Sequence, residues 1–408
     1  MNFKNEMNTL SVSERKENRK DTIISICVFL SGFSCFAQLY YFQPLLPDLA
    51  HDFTLSASES SFAVSFSTLG MVFGLFSMMF IADRIPRKKL ISTGLLASSL
   101  FSVSASFSPT FFPLILLSAA KGFLLSGATS VSMAYISEEV SSRNKGKIMG
   151  LYIAGNALGG MGGRVISSWI GAEYSWRIAS VSIGLICALF AVLFMTFSPK
   201  SLNFIPRKEN FKSLITSNIK LITSKALVPF YLTGGLILGV FVSLYNYMGF
   251  YLIKPPFNFP ANYIHYIYLM YIFGVFGSIA TAGLSRKFNH FSVLKSMLLI
   301  SAAGILLLFI HNFWIVTLGL AAFTFNFFVV HVLCNRIVSD FNVAKRSVTI
   351  SIYLLVYYLG SSILGSATGV LLDSFGWQYF LAGLIVILLV NYFIVRIGAN
   401  HMQAEYNS

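Results

Sequence analysis

The chain has 408 residues, of which 56% are hydrophobic and 11% charged, and it carries a formal net charge of +14. Ordinary soluble domains carry about 25% charged residues, so this chain lacks the polar surface needed to face water on all sides; its mean hydropathy is +0.73. A water-soluble globule, a disordered chain and a disulfide scaffold are thereby excluded. The four cysteines (Cys27, Cys35, Cys187, Cys334) lie inside apolar runs, as small packing residues do.

In chain order, residues 1–21 are polar and charged and read as a cytoplasmic tail. The apolar run that follows is too long for a signal-peptide core and has no small-residue cleavage site, so it reads as a retained first helix. A helix crosses the hydrocarbon core with about 20 apolar residues. Runs free of Asp, Glu, Lys and Arg cover 22–47, 60–82, 90–120, 178–199, 226–253, 255–285, 296–335, 347–372 and 374–395. Turn signals divide the long ones: Ser108-Pro109 with Pro113, and His311-Asn312; Pro255-Pro256 and Pro260-Ala261-Asn262 set the start of the helix in 255–285. Region 122–172 holds two more crossings, interrupted by a Glu138–Lys147 loop. The expected fold is all-α, with twelve membrane helices.

The longest polar interruption, 198–225, separates a six-helix bundle at 22–197 from another at 226–397, with a tail at 398–408. Internal repetition supports that division. Lys145, Tyr152, Leu158-Gly159 and Trp176 recur as Arg346, Tyr353, Leu359-Gly360 and Trp377, all at an offset of 201. Leu39-Tyr40 recurs as Leu244-Tyr245. With a cytoplasmic amino terminus, 25 of the 29 Lys and Arg residues fall on the cytoplasmic side, as the positive-inside rule requires. The basic loops then face anionic lipid headgroups, so the net charge implies no nucleic-acid partner. Both termini are expected to be cytoplasmic, in the inner or plasma membrane.

Residues 83–90 read Asp-Arg-Ile-Pro-Arg-Lys-Lys-Leu. They resemble the loop signature of the major facilitator superfamily, Gly-x-x-x-Asp-Arg-x-Gly-Arg-Arg/Lys, with Met79 and Pro86 at its glycine positions. Gly155-Asn-Ala-Leu-Gly159-Gly160-Met-Gly162-Gly163-Arg164 is similar to the antiporter motif of drug:proton antiporters, with Gly160 at the usual proline; glycines four apart let helices touch backbone to backbone. Other segments look like the YnfM-type efflux branch: Leu39–Pro47, Met133–Glu139, Phe241–Phe250, Phe327–His331 and Tyr357–Ser362. The resemblance covers residues 22–397. It implies two six-helix halves rocking about a central cavity, with proton-driven export, and a gating role for Asp83, Arg84, Arg87, Lys88, Gly155, Gly159, Gly160 and Gly163.

Two cations fall at mid-helix, Lys121 and Arg164, whereas none of the fifteen carboxylates does. A charge at helix centre costs about 2.5–3.5 kcal/mol on insertion scales, so it normally faces a cavity or a partner. Either backbone carbonyls and water satisfy the pair, Lys121 snorkelling to an interface, or the two line a positive cavity for an anionic or zwitterionic ligand, the preferred reading. The family's fourth-helix motif, Arg-x-x-Gln-Gly, aligns its Arg with Ser118 and its Gln with Lys121. The first-helix carboxylate common among these antiporters is absent. The expected proton-coupling candidates are His331, a group that titrates near neutrality, with Asp83, Glu138 and Glu139 at the rim. Tyr40, Tyr41, Gln43, Tyr245, Asn246, Tyr247 and Tyr357 are expected to join Lys121, Arg164 and His331 in binding an amphipathic substrate, a ring plus a hydroxyl suiting such ligands.

No metal cluster, nucleophile triad or phosphate loop is present in the sequence, so no cofactor and no enzyme are expected. The sequence predicts a monomeric carrier exporting a small amphipathic metabolite or drug by proton antiport, with membrane lipids around it. A proton-coupled uptake symporter is the alternative; a membrane enzyme or scaffold lacks the necessary residues.

Overall fold

A computed structural model describes residues 2–206, 218–342 and 345–407; at 2–16, 261, 262, 347, 406 and 407 it describes the backbone alone. Arg207, Lys208 and Lys212 of the expected linker lie outside the described residues. The long helices are α1 (Asn2–Tyr40), α2 (Phe62–Ile81), α3 (Arg87–Ala105), α4 (Phe111–Glu139), α5 (Lys145–Glu173), α6 (Trp176–Phe197), α7 (Val228–Ile253), α8 (Tyr271–Lys287), α9 (His290–Leu307), α10 (Phe313–Phe341), α11 (Arg346–Ala367) and α12 (Trp377–Asn407). Among the described residues, ten helical segments are long and apolar enough to cross a membrane. The two long helices outside that set, α3 and α5, are rich in serine and glycine, and both are packed against neighbours in the first half. The polar amino-terminal segment is helical and continuous with α1.

Pairing of the helices is repeated. In the first half α1 packs on α5, α2 on α4, and α3 on α4 and α6. In the second half α7 packs on α11, α8 on α10, and α9 on α10 and α12, the same pattern displaced by six helices. The contacts between halves obey the same exchange: α2 meets α11, and α5 meets the Ala261–Met270 segment that leads into α8. Large apolar side chains on the outside remain exposed, among them Phe73, Phe107, Leu185 and Trp314. That surface suits hydrocarbon rather than water.

Close helix contact in the first half comes from a stripe of small residues. A methyl group added at Gly155, Gly159 or Gly163 of α5 would strike the backbone at Phe29, Phe33 or Ala37 of α1, residues with the same four-residue spacing. Gly159→Ala is therefore expected to destabilise the bundle by about 1–3 kcal/mol through overpacking, read as a lowered melting midpoint in detergent. Gly150→Ala on the same helix meets nothing within 4 Å and should leave that midpoint unchanged or raised.

Helix α1 stops at Tyr40 for a local reason. Pro44 lacks the backbone donor that would continue the helix onto the Tyr40 carbonyl, and its ring crowds that carbonyl, while Pro47 stands in the first turn of the next helix, where a missing donor costs nothing. The chain makes a turn at Tyr41 and Phe42, a short 3₁₀ turn at Gln43–Leu45, then a helix at Leu46–Asp52. This break, at the end of the bundle away from the termini, positions the residues described next.

Candidate functional site

Arg164 stands one residue beyond the glycine stripe of α5, and so reaches the end of α1. Its Nε donates to Gln43 Oε1 at 2.5 Å and its Nη1 to the carbonyl of Gly160 at 2.6 Å. The guanidinium carbon lies 4.4 Å from the ring centroid of Tyr40 and 4.6 Å from that of Tyr271. One ring comes from the first half and the other from the second. Each such contact contributes roughly 0.5–2 kcal/mol, most where water is excluded, and Arg164 is 2% exposed. Among the described residues its Nη2 has no hydrogen-bond partner and no carboxylate pairs with it.

Gln43 carries the network across. Its Nε2 donates to Asn246 Oδ1 at 2.7 Å and to the carbonyl of Val242 at 3.1 Å, both on α7. Asn246 Nδ2 then donates to the Gly365 carbonyl on α11 at 2.9 Å. One hydrogen-bonded path thus runs from α5 through the break to α7 and α11, joining both halves beside an uncompensated cation.

Aromatic residues of the second half face this cation. Tyr245 packs against Phe241 (4.9 Å) and Tyr271 (5.0 Å) and shares a 2.7 Å hydrogen bond with Thr324. Phe241 stacks on Phe327 at 3.8 Å. One turn further along α10, His331 Nδ1 bonds Tyr353 Oη at 2.9 Å, with the Tyr357 ring 4.5 Å away. Of the expected substrate residues, Tyr40, Gln43, Arg164, Tyr245 and Asn246 come together around the guanidinium, and His331 and Tyr357 stand along the same aromatic wall.

The remaining three lie elsewhere. Tyr41 turns into the first half, its hydroxyl 2.8 Å from Ser180 Oγ. Lys121 follows it, with Nζ 4.3 Å from the Tyr41 ring, so the two mid-helix cations sit on different faces of the α1 break. Tyr247 donates to the Gly365 carbonyl at 2.9 Å and packs on Phe380. The residues absent from the expectation are Tyr268 and Tyr271, both buried. They are three apart where the 3₁₀ helix Ala261–Met270 passes into α8 at Tyr271, and in 3₁₀ geometry residues three apart eclipse. The Tyr-x-x-Tyr spacing was the available signal.

At the end where the termini lie, the loop residues pair within their own half. Arg87 Nη2 contacts Asp83 Oδ1 at 2.7 Å and Glu138 Oε1 at 3.1 Å, while Glu139 Oε2 meets Lys20 Nζ at 3.0 Å. Lys88 donates to the Ser198 carbonyl at 2.5 Å, and Arg84 is exposed. Hydrogen bonds between the halves, among the described residues, lie at the site or towards the opposite end. There Ser61 Oγ donates to Ser366 Oγ (2.7 Å), Ser366 Oγ to Ser65 Oγ (2.6 Å), Ser362 Oγ to the Ser65 carbonyl (2.9 Å) and Ser58 N to Asp373 Oδ2 (3.0 Å). The halves are closed at that far end. A groove of 490 Å³ lined by Met248, Tyr263, Trp314 and other apolar residues lies apart from Arg164.

The chain belongs to the Major Facilitator Superfamily, whose family model matches residues 25–341. It is 33% identical over 385 residues to an uncharacterized transporter of Buchnera aphidicola subsp. Schizaphis graminum (strain Sg), covering 93% of this chain and 92% of that one. It is 30% identical over 370 residues to the inner membrane transport protein YnfM of Escherichia coli (strain K12), covering 90% and 89%. In fold it is similar to a bacterial homolog of the human lysosomal transporter Spinster in an inward-facing and occupied conformation: TM-score 0.76, 14% identity, 95% of this chain and 97% of that one. The protein is a multi-pass membrane transporter and not an enzyme.

Proposed function

We propose that this transporter exports a small amphipathic anion or zwitterion, a metabolite or drug, in exchange for protons, by alternating access in the cell membrane, as a monomer with both termini cytoplasmic. The carrying observation is Arg164: a fixed positive charge between the halves, flanked by the rings of Tyr40 and Tyr271, with Nη2 unused and no carboxylate beside it among the described residues. A cargo carboxylate would complete the guanidinium, and the rings of Tyr245 and Tyr357 would cover its apolar part. His331, with Nδ1 on Tyr353, offers Nε2 to the same cargo. With the termini cytoplasmic, closure at the far end leaves this site facing the cytoplasm, as loading for export requires.

The test is transport into inside-out vesicles under an imposed proton gradient, with benzoate, 4-aminobenzoate and tetraphenylphosphonium as probes. Accumulation of the first two, abolished when the gradient is collapsed, is the expected result. Movement of the lipophilic cation alone would overturn the cargo class, and probe flow together with protons would turn the export reading into symport.

A further inference from the structure

We propose that Lys121 takes up and releases the coupling proton, and that the α1 break passes its charge state to the cargo site. This rests on the proton-coupled reading above. Lys121 is 1% exposed in α4, and among the described residues its ammonium makes no ion pair or hydrogen bond. Its Nζ sits over two rings instead, 4.3 Å from the Tyr41 centroid and 4.9 Å from the Phe42 centroid. Around it a polar seam runs inside the first half. Ser180 Oγ, bonded to the Tyr41 hydroxyl, donates to the Ser102 carbonyl at 2.8 Å, and Ser102 Oγ donates to Gln38 Oε1 at 3.2 Å. Gln38 Nε2, Ser34 Oγ and Ser118 Oγ are buried there without hydrogen-bond partners among the described residues. Ser118 is one turn before Lys121, on the side towards which a helical side chain leans.

The titratable groups facing Lys121 are the Tyr41 phenol from the end of α1 and the Cys187 thiol from α6. Helix α3 adds Ser102 to the seam, and Ser118 adds a hydroxyl from α4 itself. Each charge state is therefore supported by something. The ring faces hold the ammonium, while the uncharged amine fits dry surroundings that contain no anion. A proton joins the Nζ lone pair to give the ammonium, and its loss to water restores that pair; no other bond changes. Arg164 cannot serve in this way, because a guanidinium keeps its proton. The two cations thus divide the work: one is permanent and meets cargo, the other is removable and meets the proton.

Four consecutive residues connect them. Tyr40 lies under Arg164, Tyr41 and Phe42 lie under Lys121, and Gln43 bonds both Arg164 and Asn246. Tyr40 ends α1, and the three residues after it lie where the backbone is a turn and then a 3₁₀ turn. A shift of the Tyr41 and Phe42 rings on loss of the charge therefore moves Gln43, which spans the halves.

The test uses the full chain in proteoliposomes with 4-aminobenzoate as probe. Lys121→Met, permanently neutral, and Lys121→Arg, permanently charged, should both keep gradient-independent exchange of labelled probe within about twofold and lose at least about tenfold of gradient-driven accumulation. A second measurement needs no cargo: the near-ultraviolet tyrosine spectrum of the purified protein, scanned from roughly pH 5 to pH 9, should show a transition in the wild type that Lys121→Met lacks. Accumulation intact in Lys121→Met, or an identical spectral transition in that variant, overturns the proposal. A wild-type protein that shows the Lys121-dependent transition yet moves none of the probes leaves this assignment standing and defeats the cargo reading alone.

Discussion

Replacing Arg164 by alanine is expected to reduce transport of benzoate and 4-aminobenzoate about 100-fold while leaving insertion and folding intact. Truncating one partner of a buried, hydrogen-bonded charge interaction costs about 2–5 kcal/mol, and each 1.4 kcal/mol is about tenfold in affinity. Two losses combine here. The cargo loses its cation, and Gln43 Oε1 loses the donor that fixes it, so the path to Asn246 is loosened as well. Arg164→Lys separates these effects. It keeps the charge but presents a compact ammonium in place of a planar fork, and so cannot hold Gln43, Gly160 and a carboxylate together; a loss of about tenfold is expected. Folding should persist because the neighbouring contact of α5 with α1 is made by glycine backbones at Gly155, Gly159 and Gly163, not by the guanidinium. Monodisperse Arg164→Ala protein that transports both probes at the wild-type rate would remove Arg164 from the cargo site.

Much of the frame is legible in the sequence, because lipid imposes simple rules. Charge-free runs mark the helices and the glycines of α5 mark a close crossing, whereas the break after Tyr40 falls inside the 22–47 run that reads as one crossing. What stays hidden is facing. Lys121 and Arg164 look alike in sequence, each a cation at mid-helix without a deep carboxylate. The structure puts them on Tyr41 and Tyr40, adjacent residues that point to different sides of the same helix end. No periodicity of α4 or α5 alone decides that, since it depends on how both helices rotate against α1. Tyr271 escapes for another reason: it follows a 3₁₀ segment whose repeat is three residues, so a count based on 3.6 misaligns it with Arg164. Helices α3 and α5 fall short of the hydropathy of a membrane span because they make contact through serine and glycine. For them the repeated packing pattern is a better guide than apolarity.

That pattern also makes the far-end seam between α2 and α11 testable by a covalent lock. In the double variant Ser65→Cys/Ser366→Cys, oxidation is expected to abolish transport, with full recovery on reduction, and each single variant should stay within about twofold of the wild type. The Oγ atoms of Ser65 and Ser366 are 2.6 Å apart, which places their Cβ atoms near the separation of about 3.5–4.5 Å that a disulfide spans. The four native cysteines are free and buried, so they do not compete for the new pair. The size of the effect follows from what closes the seam. Hydroxyl–hydroxyl and hydroxyl–carbonyl bonds link Ser61, Ser65, Ser362 and Ser366, each contributing a net of roughly 0.5–1.5 kcal/mol. Such contacts break and re-form at little cost, as a gate that opens once per cycle needs. Asp373 accepts from the Ser58 backbone and Glu59 from the Ser56 backbone rather than from cations, so among the described residues no ion pair has to be resolvated when the halves part. A disulfide has no comparable exit. Cargo must leave by the far end if the halves rock about Arg164, and a bond across α2 and α11 holds that end shut while the site still admits 4-aminobenzoate from the other side. Oxidised, crosslinked protein should therefore bind the probe and fail to turn over. Turnover at the wild-type rate by that species would mean that cargo does not pass between α2 and α11, and that the closed seam is static packing.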